Sequence, residues 1–266
     1  MTKKSSSEVR VGRLRSKVVL LTGIGSGMGR ETALLFAREG AIVVGCDIDP
    51  ATALETARLA AEQGHPIEAV APVDLTVREQ VQGWIEDAAV KHGRIDVLYN
   101  NASLPRFAPF AVQSDADYVF TMQNEVDLVW RACQLAWPHL VKAKGNIVNI
   151  GSGAGLQGAR ALPQAAHAAA KGAVLALTRQ LAAEGIEVGV RVNSVSPGVM
   201  NTAPIQAMYR NLGANAPVAP IVERTITGRP GDPIAVAYAG LYLACDEAQW
   251  VTGINIPVDG GAGSIM

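Results

Sequence analysis

The sequence has few cysteines, few charges and no long apolar run, and each shortage excludes a class of protein. Cys46, Cys133 and Cys245 are far apart and lack metal-ligand spacing, so we expect three reduced thiols and no bound metal. The formal net charge is −1, which gives no global attraction to nucleic acid or anionic lipid. No apolar run is long enough to cross a bilayer, and no apolar core of a secretory signal follows the N-terminal charges. A cytoplasmic protein without nucleic-acid or membrane partners is expected.

Aromatic residues are also scarce, at 5%, whereas apolar residues reach 49% and glycine occurs 27 times. Short apolar runs alternate with helical patterns along the chain. The expected strands cover 17–22, 41–47, 67–73, 95–100, 146–151, 187–195 and 253–258. The expected helices cover 28–39, 50–63, 76–91, 117–143, 163–184 and 233–245. Val- and Ile-rich strands separated by helices predict a single-domain, doubly wound α/β fold with about seven parallel strands and helices on both faces.

Two segments stand outside this alternation. Residues 1–16 are polar and basic, and they predict a flexible, solvated N-terminal tail preceding a dinucleotide-binding domain over 17–266. Residues 200–230 are interrupted by Pro, Gly and Asn, and they predict an insertion that covers the substrate site.

A glycine-rich turn follows the first expected strand. Its sequence, residues 22–29, is Thr-Gly-Ile-Gly-Ser-Gly-Met-Gly, and a helix follows directly. Glycines let the backbone turn tightly and approach a pyrophosphate, which then lies on the N–H groups of the helix N-terminus. A glycine-rich turn without a ligand is the alternative, which the strand–turn–helix context disfavours.

An acidic residue at the end of the second strand indicates which dinucleotide binds. Asp47 lies about 20 residues beyond the turn, where a carboxylate accepts hydrogen bonds from the adenine ribose and repels a 2′-phosphate. Asp49, directly before Pro50, is the better candidate for capping the next helix. Asp47, followed by Ile48, is thereby left for the ribose, and NAD is favoured over NADP.

Six different motifs follow one another along nearly the whole chain, and their order resembles that of the short-chain dehydrogenase/reductase family. They are T-G-x-x-x-G-x-G at the turn, V-D-L-T at 73–76, N-N-A at 100–102, Pro197-Gly198 with Thr202, G-R-P-G-D-P, and V-D-G-G at 258–261. The resemblance implies an NAD(H)-dependent enzyme that acts on a small molecule and forms homo-oligomers, with tetramers expected. The implied cofactor-binding residues are Thr22, Gly23, Ser26, Gly27, Met28, Gly29, Asp47, Ile48, Asp74, Leu75, Asn101, Ala102, Lys171, Pro197, Gly198, Val199 and Thr202.

The catalytic half of the family pattern is altered. The resemblance gives Ser152 the role of orienting the substrate oxygen and Lys171 the role of holding the ribose. His167 stands where the family has its proton-transferring tyrosine, and Glu125 stands at the position of the relay asparagine. Imidazole can act as acid or base near neutrality. It ends roughly 2 Å short of a tyrosine hydroxyl, however, while a proton donor must come within about 3 Å or use one water.

Three functions are compatible with this set. The first is an NAD(H)-dependent oxidoreductase that interconverts a secondary alcohol and a ketone, with His167 transferring the proton. The second is a lyase or isomerase in which Glu125 or His167 abstracts a proton. The third is a catalytically silent NAD-binding protein, since fold alone does not fix function. The substrate pocket is expected to be mainly apolar, with contributions from Leu104, Leu156 and Gln157.

Overall fold

One parallel sheet of seven strands forms the centre of the computed structural model, which describes residues 12–264. The strand order is β3-β2-β1-β4-β5-β6-β7, and every neighbouring pair is parallel. The strands are β1 (Val18–Thr22), β2 (Ile42–Cys46), β3 (Glu68–Val70), β4 (Val97–Asn100), β5 (Asn146–Ile150), β6 (Arg191–Pro197) and β7 (Asn255–Val258). The predicted doubly wound α/β fold is confirmed.

Helices cover the sheet, and two hydrophobic core clusters lie between helices and strands. The α-helices are α1 (Gly27–Arg38), α2 (Pro50–Glu62), α3 (Arg78–His92), α4 (Asp115–Met122), α5 (Leu128–Ala143), α6 (Ala165–Val188), α7 (Ala203–Leu212), α8 (Ala219–Val222) and α9 (Pro233–Ala244). The Asp49 side chain accepts from the N–H groups of Ala51 and Thr52, so the predicted cap of α2 is confirmed. No helix within residues 12–264 is both long enough and apolar enough to cross a membrane.

The sheet order determines where a ligand can bind. β1 pairs with β2 on one side and with β4 on the other. Successive strands are therefore added toward one edge of the sheet up to β3 and toward the opposite edge from β4 onward, and the strand order reverses between β1 and β4. Every residue of these two strands is buried. In such sheets, ligands bind beyond the carboxyl ends of the strands at the reversal point. The glycine-rich turn after β1 and the N-N-A motif after β4 meet at this point.

The prediction placed the end of α6 and the start of β6 too early. α6 continues to Val188 and ends at Gly189, whose φ of 76° is left-handed, so the strand predicted from residue 187 begins only at Arg191. Gly185 resembles a helix stop in the sequence, but it serves close packing. A Cβ there would lie 2.1 Å from the carbonyl oxygen of Val190.

The single helix predicted over 117–143 is also wrong. A π-helical turn, Gln123–Asp127, separates α4 from α5.

The third and seventh strands are shorter than predicted, because β3 ends at Val70 and β7 begins at Asn255. Pro72, which has no N–H to donate to a neighbouring strand, lies just after β3.

The predicted N-terminal tail is shorter than expected where the structure describes it. Residues 1–11 lie outside the described residues. Leu14 is fully buried, and Arg13 pairs with Glu247 at 2.7 Å, so residues 12–16 belong to the domain and not to a flexible tail. The insertion predicted at 200–230 contains α7 and α8.

Candidate active site

The glycine-rich turn is held against the loop after β4. The hydroxyl of buried Thr22 accepts from the N–H groups of Asn101, at 2.9 Å, and Ala102, at 3.0 Å. The Asn101 side chain donates to the carbonyl of Gly23 at 3.0 Å. A Cβ at Gly29 would lie 1.9 Å from that carbonyl, so only glycine fits there. The turn and the start of α1 thus form one wall of a cleft beyond the strand ends.

Most of the sequence-predicted cofactor residues line this cleft, twelve of the seventeen. These are Gly23, Ser26, Gly27, Met28, Gly29, Asp47, Ile48, Asp74, Leu75, Asn101, Ala102 and Thr202. Pro197, Gly198 and Val199 line an adjoining cavity. Thr22 and Lys171 are buried behind these surfaces, where Thr22 supports the loop. An open glycine turn at a helix N-terminus with a carboxylate beyond it fits a dinucleotide.

The carboxylate of Asp47 lies at the far end of the cleft. It accepts from the backbone N–H groups of Gly25 at 2.7 Å and Asp49 at 3.0 Å, which fixes its orientation. Each carboxylate oxygen keeps a further acceptor position. Ile48 is exposed beside it, and no Lys or Arg side chain in the described part of the chain lines the cleft. Arg30 approaches from behind, but its guanidinium donates to Gly25 and Thr56.

The altered catalytic residues form one hydrogen-bonded row. His167 lies on α6, Ser152 follows β5, and Glu125 lies on the π turn. The Nε2 atom of His167 is 3.2 Å from the Ser152 hydroxyl. Its Nδ1 atom is 2.9 and 2.8 Å from the two carboxylate oxygens of Glu125, which is fully buried. A carboxylate that accepts from Nδ1–H leaves the Nε2 lone pair directed at Ser152.

Two further side chains hold Glu125. The Ser103 hydroxyl donates to it in a short hydrogen bond, and the Lys171 ammonium lies 3.8 Å away. Lys171 also donates to the carbonyl of Ile150 at 3.1 Å. Burial lowers the pKa of Lys171, and the Glu125 carboxylate opposes that shift. Glu125 is therefore a buried acceptor with three donors around it.

An apolar cavity of about 470 Å³ opens onto Ser152 and His167. Met28 and Thr202 line both this cavity and the dinucleotide cleft, so the two spaces adjoin. The lining includes Phe107, Gln157, Leu162, Ile205, Met208 and Ile221. Leu104 lies on the dinucleotide cleft instead, and Leu156 lines neither space.

Comparison with known proteins assigns the family. A family model described as enoyl-(acyl carrier protein) reductase matches residues 23–263. The 3-oxoacyl-acyl-carrier-protein reductase FabG of Thermotoga maritima is 35% identical over 252 residues, which are 94% of this chain and 98% of that protein. A crystal structure from Burkholderia xenovorans, described as a short-chain dehydrogenase/reductase, has a TM-score of 0.90 and 32% identity over 96% of this chain and 99% of its own. The chain belongs to the short-chain dehydrogenase/reductase family.

A second solved structure is also similar to this short-chain dehydrogenase/reductase chain over nearly its whole length. The actinorhodin polyketide ketoreductase with NADPH has a TM-score of 0.87 and 27% identity, covering 94% of this chain and 98% of that one. Relatives of this kind are oxidoreductases that act on small substrates with a nicotinamide cofactor. At the positions that the sequence resemblance gives to the family's tyrosine and asparagine, this chain has His167 and Glu125.

Sequence reasoning identified Ser103, directly after the N-N-A motif, as a departure from the family pattern, which has Gly there, but it missed the partner of Ser103 and it missed Phe107. The Ser103 hydroxyl contacts Glu125, so two separate departures from the pattern form one contact. The departure at Ser103 was visible in the sequence, whereas its partner was not. Phe107 lies edge-on to the His167 ring at 5.6 Å between centroids, and no motif marks it. The described residues contain no group of three or more His, Cys, Asp or Glu side chains arranged to hold a metal.

Proposed function

We propose that this protein is an NAD(H)-dependent oxidoreductase that interconverts a secondary alcohol and a ketone, with Ser152, His167 and Glu125 as its proton relay. One observation carries the proposal. A continuous row runs from buried Glu125 through His167 to Ser152, and its last two members line the apolar cavity that adjoins the dinucleotide cleft. The comparison proteins named as 3-oxoacyl reductase and ketoreductase act on ketones, which supports this substrate class.

The relay compensates for the short reach of imidazole. During alcohol oxidation, the substrate hydroxyl gives its proton to the Ser152 oxygen while the Ser152 proton passes to Nε2 of His167. Glu125 then stabilises the imidazolium through Nδ1–H, as a buried carboxylate does in a serine–histidine–acid triad. Ketone reduction uses the same atoms in reverse. The nicotinamide, when bound, supplies the hydride chemistry.

NAD is the proposed cofactor because of the charges around the ribose end of the cleft. The oriented Asp47 carboxylate accepts from ribose hydroxyls and repels a 2′-phosphate. Exposed Ile48 offers that phosphate no hydrogen bond. Of the other predicted cofactor residues, Asp74 and Leu75 are proposed to contact the adenine, and Thr202 and Val199 the nicotinamide. Lys171, whose ammonium lies 3.8 Å from Glu125, is proposed to hold the ribose.

We also propose a cytoplasmic homotetramer. Cys46, Cys133 and Cys245 are all unpaired and buried, which suits a reducing compartment. Trp130 on α5 and Trp250 before β7 are large apolar side chains that are 54% and 97% exposed, so they are available to contact other subunits.

The redox proposal is tested by mixing the enzyme with NAD and a panel of secondary alcohols and following NADH absorbance. His167→Ala is expected to lower the rate about 10²–10⁴-fold, the usual contribution of a general acid–base group. His139→Ala, which removes a histidine that contacts Glu86 at the surface, is the matched control and should leave the rate unchanged. A His167→Ala rate within a few-fold of wild type contradicts the relay. Product formation without NADH would indicate a lyase or isomerase instead.

A further inference from the structure

We propose that Ser152 is also a nucleophile, and that the protein carries a second, acyl-transfer activity toward esters of apolar carboxylic acids. The observation is the geometry of three side chains. A serine hydroxyl lies 3.2 Å from a histidine nitrogen, and the other nitrogen of the ring lies 2.8 Å from a buried carboxylate. Nucleophile and base within hydrogen-bond reach, with the base oriented by a third group, are the structural signature of nucleophilic catalysis. This activity is separate from hydride transfer and requires no cofactor.

The hydrogen bonds around Ser152 are arranged so that its hydroxyl can donate its proton to His167, as activation of the serine as a nucleophile requires. The backbone N–H of Ala154 donates to the Ser152 oxygen at 3.1 Å, so the serine proton is free to point at Nε2 of His167. Glu125 is held by Ser103 and Lys171, which keeps its carboxylate aimed at Nδ1. The Ala154 N–H also stabilises negative charge that develops on the serine oxygen as its proton leaves.

The space in front of Ser152 suits an apolar acyl group. The cavity is lined by aliphatic and thioether side chains, among them Leu162, Ile205, Met208 and Ile221. Its volume of about 470 Å³ lies within the range of small-molecule sites. Ser152 and His167 both line it, so an ester carbonyl bound there meets the nucleophile and the base together.

The proposed reaction uses only the ester and water. The Ser152 oxygen bonds to the carbonyl carbon while its proton passes to Nε2 of His167. The bond between the acyl carbon and the alkoxy oxygen then breaks, and that oxygen takes the proton from His167, so the alcohol leaves and an acyl-serine remains. Water gives a proton to His167 while its oxygen bonds to the acyl carbon. The bond between the acyl carbon and the Ser152 oxygen then breaks, the acid departs, and the proton returns from His167 to the Ser152 oxygen.

The test is covalent labelling of the NAD-saturated enzyme with p-nitrophenyl butyrate. We expect nitrophenol release together with one butyryl group per chain, mapped to Ser152 by peptide mass spectrometry. Ser152→Ala should carry no butyryl group, and His167→Ala should acylate at least about 100-fold more slowly, as expected for loss of a general base. His139→Ala is the matched control and should label like wild type. Circular dichroism and NAD binding check that each variant is folded.

Two results would overturn the proposal. One is a butyryl group on another side chain with Ser152 unmodified, and the other is acylation of Ser152 at an unchanged rate in His167→Ala. Neither result bears on the redox proposal, which is judged by NADH formation from alcohols. Conversely, an enzyme inactive toward every alcohol that still acylates Ser152 in a His167-dependent way supports the nucleophile and not the dehydrogenase.

Discussion

Replacing Glu125 by Gln tests the relay at its most buried member. Glutamine has nearly the shape of glutamate, but it is neutral and presents an NH₂ group in place of one oxygen. If that NH₂ faces Nδ1 of His167, the ring must accept there and carry its proton on Nε2. The Nε2 atom then donates to the Ser152 hydroxyl and no longer accepts from it. The substitution therefore disables the base without emptying the site.

The expected loss has two parts. A hydrogen bond to a charged group contributes about 1.5–3 kcal/mol, and each 1.36 kcal/mol is a factor of ten in rate. Losing that interaction with the imidazolium lowers the rate about 10–10²-fold. The wrong tautomer adds to this, and a carboxylate-to-amide change in a serine–histidine–acid triad, which includes both effects, costs about 10⁴ in total. We expect Glu125→Gln to reduce the rate by about 10²–10⁴.

The assay is single-turnover hydride transfer followed by NADH absorbance, with NAD affinity measured separately by calorimetry. NAD affinity should change little, since Glu125 does not line the dinucleotide cleft. The free energy of unfolding should fall by about 1–3 kcal/mol, because Ser103 and Lys171 lose a buried charged partner. Glu86→Gln removes a surface carboxylate and is the control. A Glu125→Gln rate within a few-fold of wild type, in a folded protein, would refute the relay.

Other predictions follow from the cofactor cleft, a helix surface and the exposed tryptophans. Asp47→Ala should weaken the free energy of NAD binding by about 1.5–3 kcal/mol, because the ribose hydroxyls lose a charged acceptor. Calorimetry that finds NADP bound more tightly than NAD by the wild-type protein contradicts the assignment. Gly29→Ala should abolish measurable NAD binding, because its Cβ would lie 1.9 Å from the Gly23 carbonyl. Gly83→Ala on α3, where a Cβ meets nothing within 4 Å, should leave binding intact and raise the free energy of unfolding by roughly 0.5–1 kcal/mol. Thermal denaturation checks both glycine variants. Light scattering is expected to report a tetramer, and a monomer at micromolar concentration contradicts that expectation.

Local chemistry made most of the fold predictable from the sequence. The glycine turn, the cap at Asp49 and the Val- and Ile-rich strands each depend on neighbours within a few residues, so the sequence shows them directly. Gly185 marks where this reasoning fails, whereas Gly189 does end α6. Both look like helix stops, and only the approach of Val190 to Gly185 shows that the first is a packing position.

The site was predictable residue by residue but not as a network. Ser152, His167, Lys171 and Glu125 were all identified by position, yet the contact of Ser103 with Glu125 joins two segments 22 residues apart. The short reach of imidazole stays a prediction from the sequence. The structure places the Ser152 hydroxyl 3.2 Å from Nε2, a distance that depends on how β5 and α6 pack and that no spacing in the sequence encodes.

The π turn at Gln123–Asp127 separates two tasks that a continuous helix would combine. α4 contacts α6 beside the site, whereas α5 packs against α3 in the core. Each residue of an α-helix advances by about 100°, so the one additional residue of a wide turn resets the angular phase between the two segments. Glu125 therefore points in a direction that a continuous α-helix in phase with α5 would not give it. Deleting one residue here, such as Val126, would rotate the Glu125 carboxylate away from His167 and leave the packing of α5 against α3 unchanged.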